Sequence, residues 1–273
     1  MGGIRQGRGK FMQTTSSFRS YQFLLFSVLL GVMGHSSSSL AHPGNPRVDI
    51  NIVGSEVVTA GCVEINFELF DKKENKMLSD QDLLVAHEKV LHFFFFDPAL
   101  NEFRHEHPTY IGGKWNVSTE LKVNSVYWIW VQGKVKSDGE EFTGSGRLTV
   151  QGGIPANQVT ALGDVRVGTD GLSQAKIEAG TIKAGALQML MINFSRTDGT
   201  LPNIIPYLGA KAHIVVTSSD GDSLIHVHPM DGSNPNQLMA HLTFAEAGEY
   251  RLWIQYLDSK VLKTIALSVV VTE

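Results

Sequence analysis

The sequence predicts an all-β protein, with two tandem immunoglobulin-like β-sandwich domains after a cleaved signal peptide. Three observations lead to this prediction. The chain has a short apolar run near its start, many segments rich in β-branched and aromatic residues, and one pattern that occurs twice. With 273 residues, of which 42% are hydrophobic, the chain has enough apolar material for one large domain or two of ordinary size.

Residues 1–41 have the composition of a secretory signal peptide. The segment carries four basic residues and no acidic one, and the apolar run FLLFSVLLGVM occupies residues 23–33. A run of this length is too short to cross a bilayer as a helix, and Ser39 and Ala41 are small, as a cleavage site requires. We therefore expect a chain that begins at His42 and is secreted, to the periplasm or the cell surface, with no stable membrane span. An uncleaved anchor is the alternative.

Charge and cysteine content limit the possible partners. Removal of residues 1–41 takes away four positive charges, so the formal net charge changes from −4 to −8. Nucleic acids are bound through clusters of Lys and Arg, and no basic cluster is present for them or for an anionic membrane. Cys62 is the single cysteine, so no disulfide can form within the chain.

The domain division comes from a repeated pattern. HFFFFDPALNEFRHEHP at 92–108 corresponds to HIVVTSSDGDSLIHVHP at 213–229, with every His and the final Pro in register. Downstream, VYWIWVQ and EYRLWIQ align in their Tyr, Trp and Gln residues. We therefore predict two copies of one domain, at residues 46–151 and 156–273, joined by the spacer QGGIPANQ at 151–158.

Each copy is predicted to be a two-sheet sandwich. Segments such as CVEINFELF, VLHFFFF and LKTIALSVVV are typical of strands, and SDGD and AGE are typical of turns. No segment after residue 41 keeps an apolar period of 3.6 residues over a helical length. The run FFFF lacks polar alternation, which predicts a strand that is buried on both faces.

The histidines of each copy are predicted to converge within one hairpin. If Phe96 pairs with Phe103 around the turn DPALNE, the register places His92 opposite His107, and His105 on the same face. Paired residues have Cβ atoms about 4.5–5.5 Å apart, so three imidazoles can reach one point. The candidate metal ligands are His92, His105, His107, His213, His226 and His228.

Two interpretations of these histidines stay open. Imidazole nitrogens bind zinc or copper at about 2.0–2.1 Å, and imidazoles without thiolate favour Cu(II), Zn or Ni over Mg or Ca. Alternatively, the histidines are structural and satisfy one another and nearby carbonyl groups. Ligands should have converging ring nitrogens that reach solvent, whereas structural histidines should be buried and bonded to the backbone.

The sequence has no recognisable catalytic motif. Neither a nucleophile with its base, nor paired carboxylates, nor a Gly-rich phosphate loop is visible. His42 at a new N-terminus would offer an amine and an imidazole together, as in some secreted copper proteins, although PGNP anchors it poorly. We expect a binding protein for copper or zinc ions that serves in carriage or sensing, without turnover. The alternative is a pair of structural domains that bind another envelope protein.

The quoted segments also resemble a known family. VAHEKVLHFFFFDPALNEFRHEHP and PYLGAKAHIVVTSSDGDSLIHVHPM, each followed by a strand like EYRLWIQY, are similar to the YtkA-like/FixH-like domains of exported bacterial proteins. The resemblance covers nearly all of residues 48–273 and implies small β-sandwich domains with a link to copper. The six histidines match the pattern by position. His87 matches it too, but the second copy has Leu208 there, so a site that requires His87 cannot occur twice.

Overall fold

The computed structural model describes residues 46–86 and 88–273. The predicted signal peptide at 1–41, His42 and His87 lie outside these ranges. The described chain is almost entirely β and forms two consecutive immunoglobulin-like sandwiches, which confirms the predicted fold class. Within this part of the chain, no helix is long and apolar enough to cross a membrane.

The first sandwich consists of two sheets. Its strands are β1 (Val48–Ile52), β2 (Val57–Thr59), β3 (Gly61–Asp71), β4 (Lys76–Met77), β5 (Leu91–Phe96), β6 (Phe103–Glu106), β7 (Thr109–Ile111), β8 (Lys114–Leu121), β9 (Val123–Lys134), β10 (Glu141–Gln151) and β11 (Ile154–Pro155). One sheet has the order β1-β3-β8-β7, with β4 beside β3. The other has the order β2-β10-β9-β5-β6, with β11 beside β9. A short 3-10 turn, Asp80–Asp82, precedes β5.

The second sandwich repeats this plan. Its strands are β12 (Val167–Asp170), β13 (Ser173–Glu178), β14 (Ile182–Lys183), β15 (Leu187–Arg196), β16 (Ile204–Ile205), β17 (His213–Ser218), β18 (Ile225–Val227), β19 (Met230–Asp231), β20 (Gln237–Thr243), β21 (Gly248–Asp258) and β22 (Val261–Thr272). The sheets have the orders β12-β13-β15-β20-β19 and β14-β22-β21-β17-β18, with β16 beside β21.

Alternating side chains build the core of each sandwich. Ile65 and Phe67 of β3 are buried, whereas the residue between them is exposed. Ile192 and Phe194 of β15 take the corresponding positions in the second sandwich. Because side chains of a strand alternate between its two faces, one half of each strand fills the core. Burial of this apolar surface stabilises the fold by about 25 cal/mol per Å².

Strand β5 is buried on both faces, as the FFFF run predicts. Phe93 and Phe95 enter the core of the first sandwich, whereas Phe94 and Phe96 point outward and are equally buried. The second sandwich covers them. The resulting interface cluster comprises Phe94, Phe96, Leu100, Phe103, Trp128, Trp130, Val215, Leu224 and Trp253. The two sandwiches therefore pack through the sheets that contain β5 and β17.

The segment between β10 and β12 is bonded to both sandwiches. Strand β11 pairs in parallel with β9, so the first sandwich continues to Pro155, inside the spacer predicted at 151–158. The backbone N–H groups of Leu162 and Gly163 donate to the carboxylate of Glu249, at 2.8 and 3.1 Å. These hydrogen bonds attach the segment just before β12 to strand β21.

Candidate metal centre

Both histidine hairpins adopt the predicted register. Strands β5 and β6 pair Phe94 with His105, and strands β17 and β18 pair Val215 with His226. Each paired ladder ends one residue before the third histidine, so His107 and His228 follow their strands directly. The histidines of each hairpin share the outer face of their sheet, which is the face that packs against the other sandwich.

The six histidines form two compact groups. We call His92, His105 and His107 the first triad, and His213, His226 and His228 the second triad. In each triad, one nitrogen from every ring can be chosen so that the three atoms lie within 4.8 Å of one another. Two histidines of each triad are buried, whereas His107 and His228 are half-buried.

Hydrogen bonds assign the protons of the first triad. Nδ1 of His105 lies 2.9 Å from Oε1 of Gln255, and Nε2 of His92 lies 3.2 Å from the carbonyl oxygen of Ala86. Both oxygens are acceptors, so with the Gln255 amide in this orientation these two nitrogens carry the protons. A neutral imidazole has a single N–H, and its other nitrogen therefore has a lone pair. The lone pairs of His92 Nδ1 and His105 Nε2 face each other at 3.0 Å, a gap that one ion can bridge.

The second triad has the same pattern. Nδ1 of His226 lies 2.8 Å from Oε1 of Gln132, and Nε2 of His213 lies 2.9 Å from the carbonyl oxygen of Tyr207. Nδ1 of His213 and Nε2 of His226 then face each other at 3.2 Å. A tight turn presents the Tyr207 carbonyl, because Leu208 and Gly209 have φ of 49° and 77°, as in a type I′ turn.

The orientation of the Gln255 side-chain amide determines which imidazole nitrogens of the first triad carry protons. Nε2 of Gln255 lies 3.1 Å from Oγ1 of Thr264 and donates to it, which leaves Oε1 to accept from His105. With the amide reversed, Gln255 would donate to His105, and a chain of hydrogen bonds would continue through His92 to the backbone. This reversed arrangement corresponds to the interpretation in which the histidines are structural and bind no ion. In either arrangement, Nε2 of His107 is buried and finds no hydrogen-bond partner among the described residues.

Burial keeps His105, His107 and His226 neutral at pH 7. It lowers the pKa of His105 and His226 well below the ordinary histidine value, and the neighbouring imidazoles lower it further. The pKa of His107 is lowered to about 4, first by burial and then by the electrostatic influence of its neighbours Lys89 and His213. Metal ions bind the neutral imidazole, so these rings are competent ligands at neutral pH.

By the solvent criterion the structural interpretation is favoured, since four of the six histidines are buried, whereas the convergence of the rings favours metal ligation. His92 and His213 are buried and bonded to backbone carbonyls, as expected for structural histidines, yet their rings also converge on two further imidazoles. A ligating histidine uses one ring nitrogen for the ion and usually donates the other N–H to an acceptor that orients the ring. Burial with a backbone bond therefore fits both roles.

The two triads meet across the interface between the sandwiches. Ring centroids lie 5.0 Å apart for His92 and His226, 5.3 Å for His105 and His226, and 5.7 Å for His105 and His213. The sequence predicts a separate site in each domain and does not predict this contact. It also does not predict a role for Gln132 and Gln255, whose alignment in VYWIWVQ and EYRLWIQ is the signal that could have found them.

Comparison with known proteins adds little about function. A family model described as "Domain of unknown function (DUF8832)" matches residues 167–273, which is the second sandwich. No curated protein matches the chain. The fibronectin(III)-like modules of Clostridium thermocellum CbhA are 12% identical, with 82% of this chain and 94% of that chain covered and a TM-score of 0.23. The Escherichia coli adhesin FdeC is 14% identical, with 86% and 66% covered and a TM-score of 0.25.

Proposed function

We propose that this protein is an exported binding protein that holds copper or zinc ions at its two histidine triads, for carriage or sensing and without turnover. The proposal rests on one pair of facing ring nitrogens in each triad. Nδ1 of His92 lies 3.0 Å from Nε2 of His105, and Nδ1 of His213 lies 3.2 Å from Nε2 of His226. The opposite nitrogen of each of these rings meets a carbonyl oxygen. Export rests on the signal peptide predicted at residues 1–41.

The ligand set favours exchangeable binding. Three imidazoles leave a fourth position open for water or an acceptor molecule, and the half-buried His107 and His228 lie at the more accessible side of their triads. Imidazole nitrogens suit zinc and copper. Among residues 46–86 and 88–273, each triad consists of histidine alone, without a thiolate or carboxylate, so these residues supply no anionic ligand that would strengthen the bond to the cation. Moderate affinity of this kind suits carriage or sensing.

A structural or interaction role is the second candidate function. In this role the sandwiches present a surface to another envelope protein, and the histidines only hold the interface together. It is favoured by the separations of the facing ring nitrogens, 3.0 and 3.2 Å, which are also hydrogen-bond distances when the glutamine amides are reversed. Without an ion, the buried Nε2 of His107 has no hydrogen-bond partner among the described residues in either arrangement, and such groups are rare in folded proteins. We therefore prefer metal binding. The resemblance to YtkA-like/FixH-like domains agrees with it and stays a prediction.

Metal titration tests the proposal. We expect the purified protein to bind close to two equivalents of Cu(II) or Zn(II) in isothermal titration calorimetry. A variant with four changes, His105→Ala, His107→Ala, His226→Ala and His228→Ala, shown by circular dichroism to be folded, should lose this binding. His241→Ala is the matched control, because this half-buried histidine lies on β20, outside both triads. Parent binding no tighter than millimolar, or binding that survives the four changes, would overturn the proposal.

A further inference from the structure

We infer that the two triads form one reciprocal centre, in which Gln255 of the second sandwich positions a ligand of the first triad and Gln132 of the first sandwich positions a ligand of the second. The inference rests on the proposed function, because it concerns how the same ions are held. It goes further in assigning two positioning residues that are not themselves ligands. It also makes each site depend on the other sandwich.

Two hydrogen bonds cross the interface in opposite directions. Gln255 accepts from Nδ1 of His105, which lies 150 positions away in the sequence. Gln132 accepts from Nδ1 of His226, which lies 94 positions away. His105 corresponds to His226, and Gln132 corresponds to Gln255, in the two copies of the repeat. One contact therefore occurs twice, as an approximate two-fold relation between the sandwiches requires.

Each glutamine has a histidine much nearer in its own sheet. Gln132 pairs with His92 between β9 and β5, and Gln255 pairs with His213 between β21 and β17. A glutamine that accepted a hydrogen bond from the histidine beside it in the sheet would position a ligand of the triad in its own sandwich. The amide oxygens are instead 2.8 and 2.9 Å from histidines of the opposite sandwich. A glutamine substitution should therefore weaken metal binding in the opposite sandwich, whereas contacts within one sandwich would make it weaken binding in its own.

The cross-interface bond determines which ring nitrogen can bind an ion. While Nδ1–H of His105 donates to Gln255, Nε2 keeps its lone pair and the ring plane is held. Without the acceptor, the proton can move to Nε2 and the ring can rotate. Gln132 and Gln255 are 9% and 6% exposed, and water therefore has little access to replace the lost acceptor. Removal of such a group typically weakens metal binding by about 10–100-fold.

Single-triad backgrounds provide the test. The background His226→Ala/His228→Ala keeps the first triad. In it, Gln255→Ala should weaken Zn(II) binding by about 10–100-fold, whereas Gln132→Ala should weaken it clearly less. The background His105→Ala/His107→Ala keeps the second triad and should show the reverse. Zn(II) affinity is measured by competition with a chromophoric chelator. If a background does not fold, each glutamine is changed in the parent protein, where one of the two equivalents should weaken.

A conservative variant separates positioning from packing. Gln255→Glu keeps an acceptor oxygen for Nδ1–H of His105, so it should restore Zn(II) affinity in the first background. Gln255→Leu keeps similar bulk without an acceptor, so it should weaken binding as Gln255→Ala does. Circular dichroism and thermal unfolding establish that each variant is folded.

The outcomes distinguish this inference from the proposed function. The crossed pattern, with rescue by Gln255→Glu, supports the reciprocal centre. If each glutamine weakens its own sandwich's triad, weakens both alike, or has no effect, the inference is wrong, although the triads still bind metal. If neither the backgrounds nor the parent protein bind Zn(II) or Cu(II), the proposed function itself fails.

Discussion

At the residue scale, the carboxylate of Asp258 holds together one end of the second sandwich. It is 4% exposed and accepts two hydrogen bonds from Arg196, at 2.6 and 3.0 Å. The hydroxyl of Ser173 and the backbone N–H of Asn203 also donate to it. These contacts, led by Arg196, lower the pKa of Asp258 from 3.8 to about 2. The charged form is therefore the one that the fold stabilises.

Replacement of Asp258 should change both stability and its pH dependence. Because the folded-state pKa lies below 3.8, the contribution is present above about pH 4 and is lost as the pH falls towards 2. Asp258→Asn should lower the free energy of unfolding at pH 7 by about 1–3 kcal/mol and flatten its decline between pH 4 and 2. Urea unfolding across this pH range measures both effects.

The exposed pair of Asp164 and Arg166 provides the control. Their side chains are 42% and 24% exposed, and exposed ion pairs contribute at most about 1 kcal/mol. Asp164→Asn should therefore change the stability at pH 7 only slightly. Equal losses in Asp164→Asn and Asp258→Asn would contradict the role given to Asp258.

At the element scale, the turn between β17 and β18 contacts β9 of the other sandwich. Gly221 has φ of 78°, and a Cβ atom built there would lie 2.1 Å from Nε1 of Trp128. The hairpin that carries His226 is thus seated directly on a tryptophan of the first sandwich. The absence of a side chain at position 221 is a condition of this packing.

Gly221→Ala should disturb the interface as well as the turn. Backbone strain at positive φ costs about 1–2 kcal/mol for a residue other than glycine, and overpacking adds about 1–3 kcal/mol. Gly199→Ala is the matched control, because Gly199 has φ of 82° and no atom lies within 4 Å of the position that a Cβ would take there. We expect Gly221→Ala to lose more stability than Gly199→Ala, and only Gly221→Ala to change the tryptophan fluorescence. If Gly221→Ala and Gly199→Ala lose equal stability and neither changes the fluorescence, the turn is not in close contact with Trp128.

At the scale of the whole molecule, the proposed ions lie where the two sandwiches meet. The interface cluster and the cross-interface bonds of Gln132 and Gln255 join them into one unit. A bound ion therefore opposes both unfolding and separation of the sandwiches. Any ligand that binds only the folded state stabilises it by mass action.

Zinc should therefore raise the melting temperature of the protein. At a free Zn(II) concentration about 100 times Kd, one site adds about 2.7 kcal/mol, which corresponds to roughly 5–10 °C for a chain of this size. Differential scanning calorimetry with and without Zn(II) measures the shift. The variant with alanine at positions 105, 107, 226 and 228 should show no shift, whereas His241→Ala should behave as the parent. An equal shift in all three proteins would contradict ion binding at the triads.

The sequence by itself determined the local features of this protein. Strand periodicity and the turn residues predict the β-sandwich class and the register that pairs Phe94 with His105 and Val215 with His226. They also predict a strand β5 that is buried on both faces. These features depend on residues close together in the chain, where the two-residue period of a strand fixes which side chains share a face.

Only the tertiary structure decided what covers β5 and what completes each triad. The second sandwich lies over Phe94 and Phe96, the rings of His92 and His226 come within 5.0 Å, and Gln255 reaches His105 from 150 positions away. No local pattern encodes these contacts, because the packing of two sheet faces depends on the combined shape of many side chains from both copies. The repeat predicts two histidine groups, and the packing of the sandwiches brings their rings together across the interface.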